Sequence, residues 1–218
     1  MTMLPALVRR DLQLLWQGRA RLLPLFAYPL LILLICVFAL DVKTLDLPVR
    51  QALVLIAFIL AQLTLTGYIW PETQNGVMAQ LYLARRSLIA FVLVRFAAYL
   101  MALLLPLALL VLFAGQLLLQ VPLPSLLLPV ILAMPTLLGL SLIVGALTAG
   151  PGHHTALPAL LLLPLYVPVI ILMALGATAT DLAIASASHY WLAALAMLSV
   201  GLLPMGIAAA LRQSLDLG

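Results

Sequence analysis

Six long apolar runs restrict what this chain can fold into more than any other feature of its sequence. A helix rises about 1.5 Å per residue, so roughly 20 apolar residues are enough to cross the hydrocarbon core of a bilayer. The runs are continuous and lack the alternation that is typical of membrane β-barrel strands. Charged residues make up only 7% of the 218 positions, against about a quarter in soluble domains. The sequence therefore predicts an all-α integral membrane protein with one domain over residues 1–218. Its six transmembrane helices are predicted at about 22–40, 49–70, 88–115, 125–149, 156–178 and 191–211.

An amphipathic stretch precedes the first span, at residues 3–21. Its apolar residues, such as Leu4, Leu12 and Trp16, recur at helical spacing, and polar or basic residues fall between them. Such a helix is expected to lie along the lipid headgroups, with its arginines against anionic lipid. A secretory signal peptide is the competing interpretation, and we reject it because no small-x-small cleavage motif precedes Asp41.

The longest polar interruption runs from Trp70 to Ser87. Pro71 disfavours helical geometry at the residue before it, and Asn75-Gly76 is a turn pair, so the second span should end here. A shorter amphipathic helix is then predicted to lie near the membrane surface. We interpret residues 71–87 as a cytosolic coupling segment that a partner subunit contacts. The alternative, a loop that its charges merely anchor to water and lipid, stays open. The candidate contact residues are Glu72, Asn75, Gly76, Gln80, Arg85 and Arg86.

The distribution of basic residues predicts the orientation of the chain. Six spans place both termini on one side of the membrane. If that side is the cytoplasm, Arg85, Arg86, Arg212 and the N-terminal arginines are all inside. The outer loops then hold only Lys43, with Arg50 at a span boundary where it can snorkel to the interface. Because cytoplasmic loops carry the excess of positive charge, both termini are predicted to be cytoplasmic.

The chain lacks the residues that several classes of activity require. No G-x-x-x-x-G-K-[ST] motif occurs and Lys43 is the only lysine, so ATP would have to be hydrolysed by another polypeptide. Coupling to protons or sodium usually requires acids or histidines within the spans, and they do not recur there in this sequence. Neither a nucleophilic triad nor a carboxylate pair is evident. The net charge of +4 sits in short clusters beside apolar runs, which does not favour nucleic-acid binding, and the single Cys36 excludes a disulfide framework. We therefore predict a non-enzymatic membrane subunit that itself binds no cofactor or metal.

Several polar residues in or beside the spans are candidates for a role. Arg95 lies about two turns inside the third span; snorkelling to the surface is the preferred interpretation, and pairing inside the membrane is the functional alternative. His153 and His154 are interpreted as solvated turn residues, because neighbouring helical residues point about 100° apart and could not easily bind one ion. His189 stands beside aromatic residues that indicate an interfacial belt.

Candidates for a polar lining of a transport path are sparse, and small hydroxyls also serve helix packing. They are Gln62, Thr64, Thr66, Thr136, Ser141 and Thr148.

Three prolines interrupt the fifth span, at Pro158, Pro164 and Pro168. A proline inside a helix removes a backbone hydrogen bond and clashes with the preceding turn. The sequence therefore predicts a kinked or broken helix, which we interpret as a conformational hinge.

Motifs in the second half of the chain resemble those of a known family. They are Pro-Thr-Leu at 135–137, Gly-Ala-Leu-Thr at 145–148 and Leu-Pro-Leu-Tyr-Val-Pro at 163–168. These segments, together with Gly76 and Gln80-Leu81 in the coupling segment, are similar to the haem exporter B family, the membrane subunit of the cytochrome c maturation ABC transporter. The length and the arginine-bearing N-terminal helix also fit. Ala79 stands where the family has an acid, and Gly-Pro-Gly-His-His replaces a basic, glycine-rich turn.

The resemblance implies an ABC exporter-type permease in a bacterial inner membrane. Its expected partners are a cytosolic ATP-binding subunit, a sister membrane C subunit and a small single-span subunit, with a periplasmic haem chaperone contacted indirectly. ATP hydrolysis by the partner would drive haem handling or release of the haem-loaded chaperone, so haem is a substrate and ATP acts through the partner subunit. Two alternatives stay open: a scaffold of the maturation complex that translocates nothing, and a permease for another apolar cargo.

Overall fold

The computed structural model describes residues 19–42, 44–69, 88–147 and 156–216. The regular structure in these ranges is entirely helical, which confirms the predicted all-α class. The helices are α1 (Arg19–Ala39), α2 (Leu47–Ile69), α3 (Leu88–Tyr99), α4 (Leu105–Leu119), α5 (Leu123–Leu147), α6 (Ala156–Thr178) and α7 (Leu182–Asp216). A π-helical segment, Leu100–Leu104, joins α3 to α4, so these two form one rod.

Five described stretches are long and apolar enough to cross a membrane. They are Leu47–Thr64, Ile89–Leu119, Leu123–Leu147, Leu160–Thr178 and Leu182–Ile207. A shorter apolar helix, Leu23–Ala39, corresponds to the first predicted span. The chain is thus a multi-pass membrane protein. Large apolar side chains are exposed on the sides of the helix bundle, as lipid contact requires. Among them are Phe38, Leu117 and Met197.

Three connections lie at the same end of the bundle, which we call the outer end: residues 40–46, 120–122 and 179–181. Short connections between helices make antiparallel neighbours. Side-chain contacts between α2, α4, α5 and α7, given below, tie these connections together. The opposite end, the inner end, is where α2 ends and α3 begins. Helix α5 is the most buried of the five long spans and packs against both α6 and α7, so it forms the centre of the bundle.

The third span is longer than the sequence predicted. We expected it to end near Gly115, with a loop over 116–124, but the helix continues through Gln116 to Leu119. It stops at Gln120, whose left-handed conformation (φ 54°, ψ 37°) turns its N–H toward the carbonyl of Gly115. Pro122 follows and cannot extend the helix. The polar Gln116 misled the prediction, because one polar residue does not end a helix when the backbone ladder continues past it.

The last helix also begins earlier than predicted. We expected a polar loop over 180–190 and a span from Trp191, whereas α7 starts at Leu182. Asp181 caps this helix, since its Oδ1 accepts a hydrogen bond of 2.8 Å from the backbone N–H of Ala183. The alanines and isoleucine that follow sustain a helix, so the small residues between 182 and 190 form about the first two and a half turns of α7 and not a loop.

Helix α6 is continuous across all three prolines of the predicted hinge. Pro158 lies in its first turn, where backbone N–H groups have no intrahelical partner and proline is tolerated. Pro164 and Pro168 lie in the interior. The helix is therefore not broken, and a bend at the two interior prolines stays a prediction. The interfacial helix predicted at 3–21 lies outside the described residues, except that Arg19–Arg21 belong to α1.

Candidate functional site

The six predicted coupling residues, Glu72 to Arg86, all lie outside the described residues, as do His153, His154 and Thr148. The structure describes the two helices that flank the coupling segment. Helix α2 ends at Ile69 and α3 begins at Leu88, both at the inner end. The side chains that can be described in these two helices and their neighbours define the candidate site.

Arg95 forms a cation–aromatic cluster on α3. Its guanidinium lies over the rings of Tyr99 and Phe91, at 5.1 and 5.8 Å from their centres. One guanidinium nitrogen, Nη2, donates a 2.8 Å hydrogen bond to the Tyr99 hydroxyl. The residue is only 2% exposed. The preferred expectation of snorkelling to the surface is therefore wrong, because the charge is turned into the protein, where aromatic faces and a hydroxyl replace water.

Arg95 also lies at the inner end of the bundle. Arg95 lies 24 residues before Leu119, the last residue of α4. Leu147, the last described residue of α5, lies 24 residues after Leu123, the first residue of that helix. Because α4 and α5 run antiparallel from the same connection, Arg95 is level with the described end of α5. It is seven residues into α3, or about 10 Å along the axis. The cluster is thus close to the start of α3, which directly follows in sequence the segment that we expect to contact a partner.

A second polar cluster joins α2 to the α4–α5 connection at the outer end. Arg50 donates from Nη1 to the carbonyl oxygen of Leu119 at 3.1 Å, a favourable place for a cation because it is the C-terminus of α4. Gln51 donates from Nε2 to Oγ of Ser125 at 2.9 Å. Close packing adds to these bonds: a Cβ added at Gly115 would lie 2.6 Å from a methyl of Val54. Helices α2 and α4 are therefore firmly joined here.

Hydroxyl groups tie α5 to α6 in the middle of the bundle. Ser141 Oγ and Tyr166 Oη lie 2.5 Å apart, and the carbonyl oxygen of Leu137 lies 2.9 and 3.1 Å from them. Each hydroxyl has one proton, so one of them donates to this carbonyl and the other donates to its neighbour's oxygen. Tyr166 and Ser141 are fully buried. These groups satisfy one another, so their role here is to fix the contact between two helices.

Small and hydroxylated residues let α5 approach α7 closely. Ser199 donates to Oγ1 of Thr136 at 3.3 Å. One turn further along α5, a Cβ added at Gly139 would lie 2.2 Å from a methyl of Leu203. The absence of a side chain at Gly139 is thus what lets these two helices meet.

His189 of α7 packs against α6 and α5 in the outer half of the bundle. A Cβ added at Gly176 of α6 would lie 3.0 Å from Nε2 of His189 and 3.4 Å from Pro129 of α5. This nitrogen is buried and has no hydrogen-bond partner among the described residues. Tyr190 and Trp191 beside it are exposed, as the predicted aromatic belt requires.

Gln62 differs from the other predicted lining residues. The side chain is 0% exposed, and within the described ranges neither Oε1 nor Nε2 has a hydrogen-bond partner. Thr64, by contrast, donates to the Ala61 carbonyl of its own helix at 2.7 Å. An unpaired buried amide is costly, and in a membrane it marks a place of functional interest.

Sequence reasoning missed several of these residues. Tyr166 was noted only as part of a motif, and Gln51 and Ser199 were not singled out. The available signal was an isolated hydroxyl or amide inside an apolar run, which by itself does not tell which neighbouring helix supplies the partner. For metal binding, no group of three or more histidine, cysteine or acidic side chains comes together in the part of the chain that the structure describes.

Comparison with known proteins extends the picture to the whole chain. Residues 2–214 match the family model described as CcmB protein. The chain is also 35% identical over 215 residues to heme exporter protein B of Pseudomonas aeruginosa. That alignment covers 95% of this chain and 96% of the relative.

Proposed function

This chain belongs to the CcmB protein family, and on that premise we propose that it is the permease subunit of an ABC transporter for haem delivery in c-type cytochrome assembly. The observation that carries the proposal is the match over nearly the full length of both the chain and a relative named heme exporter protein B. A cytosolic partner subunit hydrolyses ATP, since this sequence contains no phosphate-binding loop. This chain converts that hydrolysis into haem handling or into release of a haem-loaded periplasmic chaperone.

The ends of the bundle support a cytoplasmic placement of the inner end. Asp41, Asp46 and Asp181 lie in or beside connections at the outer end. The sequence at the other end carries Arg85 and Arg86 immediately before α3, and α7 runs toward Asp216 through Arg212. Positive charge concentrates on the cytoplasmic side of membrane proteins. We therefore infer that the inner end faces the cytoplasm of a bacterial cell, within its inner membrane, with both termini there.

The coupling segment leaves and re-enters the bundle at this inner end. Residues 70–87 connect α2 to α3, and this is a long connection between two neighbouring helices of the sequence. We propose that the ATP-binding subunit contacts Glu72, Asn75, Gly76, Gln80, Arg85 and Arg86. A sister membrane C subunit and a small single-span subunit complete the assembly.

The buried hydroxyls favour conformational signalling over a wide polar path. Ser141, Tyr166 and Ser199 are bonded to one another or to helix carbonyls, so these groups hold helices together. A large anionic porphyrin would need several free polar groups along its route. We propose that ATP-driven movement of the coupling segment repacks these helices, with the interior prolines of α6 as the hinge, and changes the surface at the outer end.

The proposal is tested by the ATPase activity of the cytosolic subunit. The activity is measured for the cytosolic subunit alone and for the same subunit with the parent chain and its C subunit in nanodiscs. A third sample replaces the parent chain by a variant in which Glu72, Gln80, Arg85 and Arg86 are changed to alanine. Lys43→Ala, at the opposite face, is the matched control. We expect the parent and the control to bind the ATPase and stimulate it several-fold, and the four-residue variant to insert normally without stimulating it.

Other outcomes decide against the proposal. Stimulation that persists in the four-residue variant places the motor contact elsewhere. Assembly of the complex with no response to ATP at any stage favours the scaffold. ATP-dependent release of a different apolar cargo, with haem and the haem chaperone unaffected, favours a permease of other specificity.

A further inference from the structure

The π segment Leu100–Leu104 is an unusual element inside the longest transmembrane rod. The backbone N–H of Leu105 bonds to the carbonyl of Leu100, five residues earlier, where an α-helix would use the residue four earlier. Pro106 follows and has no N–H to give, so a second ladder bond is missing at the same place. Segments of this kind are rare and are found frequently at functional sites.

The helix on the inner side of the π segment is held as a unit. Phe91, Arg95 and Tyr99 lie one turn apart on the same face of α3, and the guanidinium bridges the two rings. Tyr99, which receives the hydrogen bond from Arg95, is the last residue before the π segment. These contacts therefore hold the face of α3 together up to the residue before Leu100.

The helix on the outer side is fixed to a different neighbour. Helix α4 is joined to α2 by the bond from Arg50 to Leu119 and by the close contact of Gly115 with Val54. Helix α3 packs against α7, and both α3 and α4 pack against α5. The π segment, which also contacts α5, thus links a helix held against α7 to a helix held against α2, with α5 as their shared neighbour.

We propose that Leu100–Leu104 is a register switch that passes movement of the coupling segment into the membrane. When the segment changes from π to α geometry, α3 turns by about one residue, or 100°, relative to α4 and shifts along the axis by about 1.5 Å. Buried Leu103 and Leu104 then exchange their packing against the core, and the buried Arg95 cluster turns with α3 to new neighbours, while Met101 starts from the exposed side. The inference rests on the proposed function, because a bound ATPase drives the change through residues 71–87.

Spin labels on the two sides of the π segment report this rotation. In a Cys36→Ser background, Leu93→Cys and Phe113→Cys place labels on exposed positions of α3 and α4. They are 20 residues apart, roughly 30 Å along the rod. The control pair is Leu128→Cys and Leu147→Cys, which spans a similar length of α5 with no π segment. Distances are measured by pulsed electron resonance in the assembled complex, without nucleotide and with a non-hydrolysable ATP analogue.

We expect nucleotide to shift the Leu93–Phe113 distance distribution by several ångströms and to leave the α5 pair unchanged. An unchanged Leu93–Phe113 distribution in a complex that binds and hydrolyses ATP overturns the switch and leaves the proposed function standing. A complex that does not form with the ATPase overturns the proposed function and removes the driver of the switch as well.

Chain length within the segment provides an independent test. Deleting Met101 removes the additional residue and should hold the rod in one register, with a single distance population, retained ATPase binding and lost stimulation. Met101→Ala keeps the residue count and should keep the nucleotide-dependent shift. A Met101 deletion that assembles and still shows the shift contradicts the inference; if the deletion does not assemble, the result with the parent chain decides.

Discussion

Two buried glutamines on α2 offer a sharp test of the energetics of this bundle. Gln51 and Gln62 are 3% and 0% exposed. Gln51 donates to Ser125, whereas the amide of Gln62 has no hydrogen-bond partner within the described ranges. Methionine matches glutamine in length and in helix propensity, so Gln→Met removes the polar atoms with little change of volume or backbone preference. The same substitution should therefore have opposite effects at the two sites.

The magnitudes follow from what each amide does. An unsatisfied buried polar group costs about 1–3 kcal/mol, so Gln62→Met should stabilise the folded state by roughly 2 kcal/mol. At Gln51 the substitution breaks a hydrogen bond between helices, which in membrane proteins is worth about 0.6 kcal/mol on average and about 1.7 at most. Gln51→Met should therefore destabilise by roughly 1 kcal/mol. The two variants should differ by about 3 kcal/mol in free energy of unfolding.

The assay is reversible unfolding in mixed micelles, followed by tryptophan fluorescence and circular dichroism on the parent and both variants. A double variant checks that the two sites are independent, as residues three turns apart on one helix should be. Equal destabilisation by both substitutions would show that the Gln62 amide is paired in the folded protein, and the reasoning from its isolation would then be wrong.

Three further predictions concern backbone geometry and packing. Gln120→Gly should stabilise the fold by about 1 kcal/mol in the same assay, because glycine adopts φ 54° without strain; no gain would mean that the left-handed turn is not fixed in the protein. Gly139→Ile should destabilise by about 1–3 kcal/mol, since Leu203 already occupies that space. Gly201→Ala, with no neighbour within 4 Å of the added Cβ, should be neutral or slightly stabilising. Equal effects of the two substitutions would refute the close α5–α7 contact. Replacing Pro164 and Pro168 together by alanine should keep ATPase binding but reduce stimulation at least several-fold, and full stimulation would exclude a hinge in α6.

The number and type of elements could be predicted because the membrane imposes them. Backbone groups in hydrocarbon have no water to bond, so continuous apolar runs must be helices, and their length is set by bilayer thickness. The boundaries were harder, since they depend on local backbone chemistry. Asp181 as a cap and Gln120 in a left-handed conformation decide where helices begin and end. A polarity plot cannot distinguish such residues from an ordinary loop.

The sequence by itself determined the all-α membrane class, the family and the absence of a nucleotide-binding loop, because these depend on composition and on motifs read along the chain. Only the tertiary structure decided what the isolated polar residues do. It turned Arg95 inward onto Tyr99, bonded Tyr166 to Ser141, and left Gln62 without a partner among the described residues. The physical reason is that burial and cross-helix partners depend on which helix lies opposite, and the order of residues along one helix does not specify that neighbour. The Arg95–Tyr99 bond lies within α3, so there the tertiary structure decided only that the pair is buried.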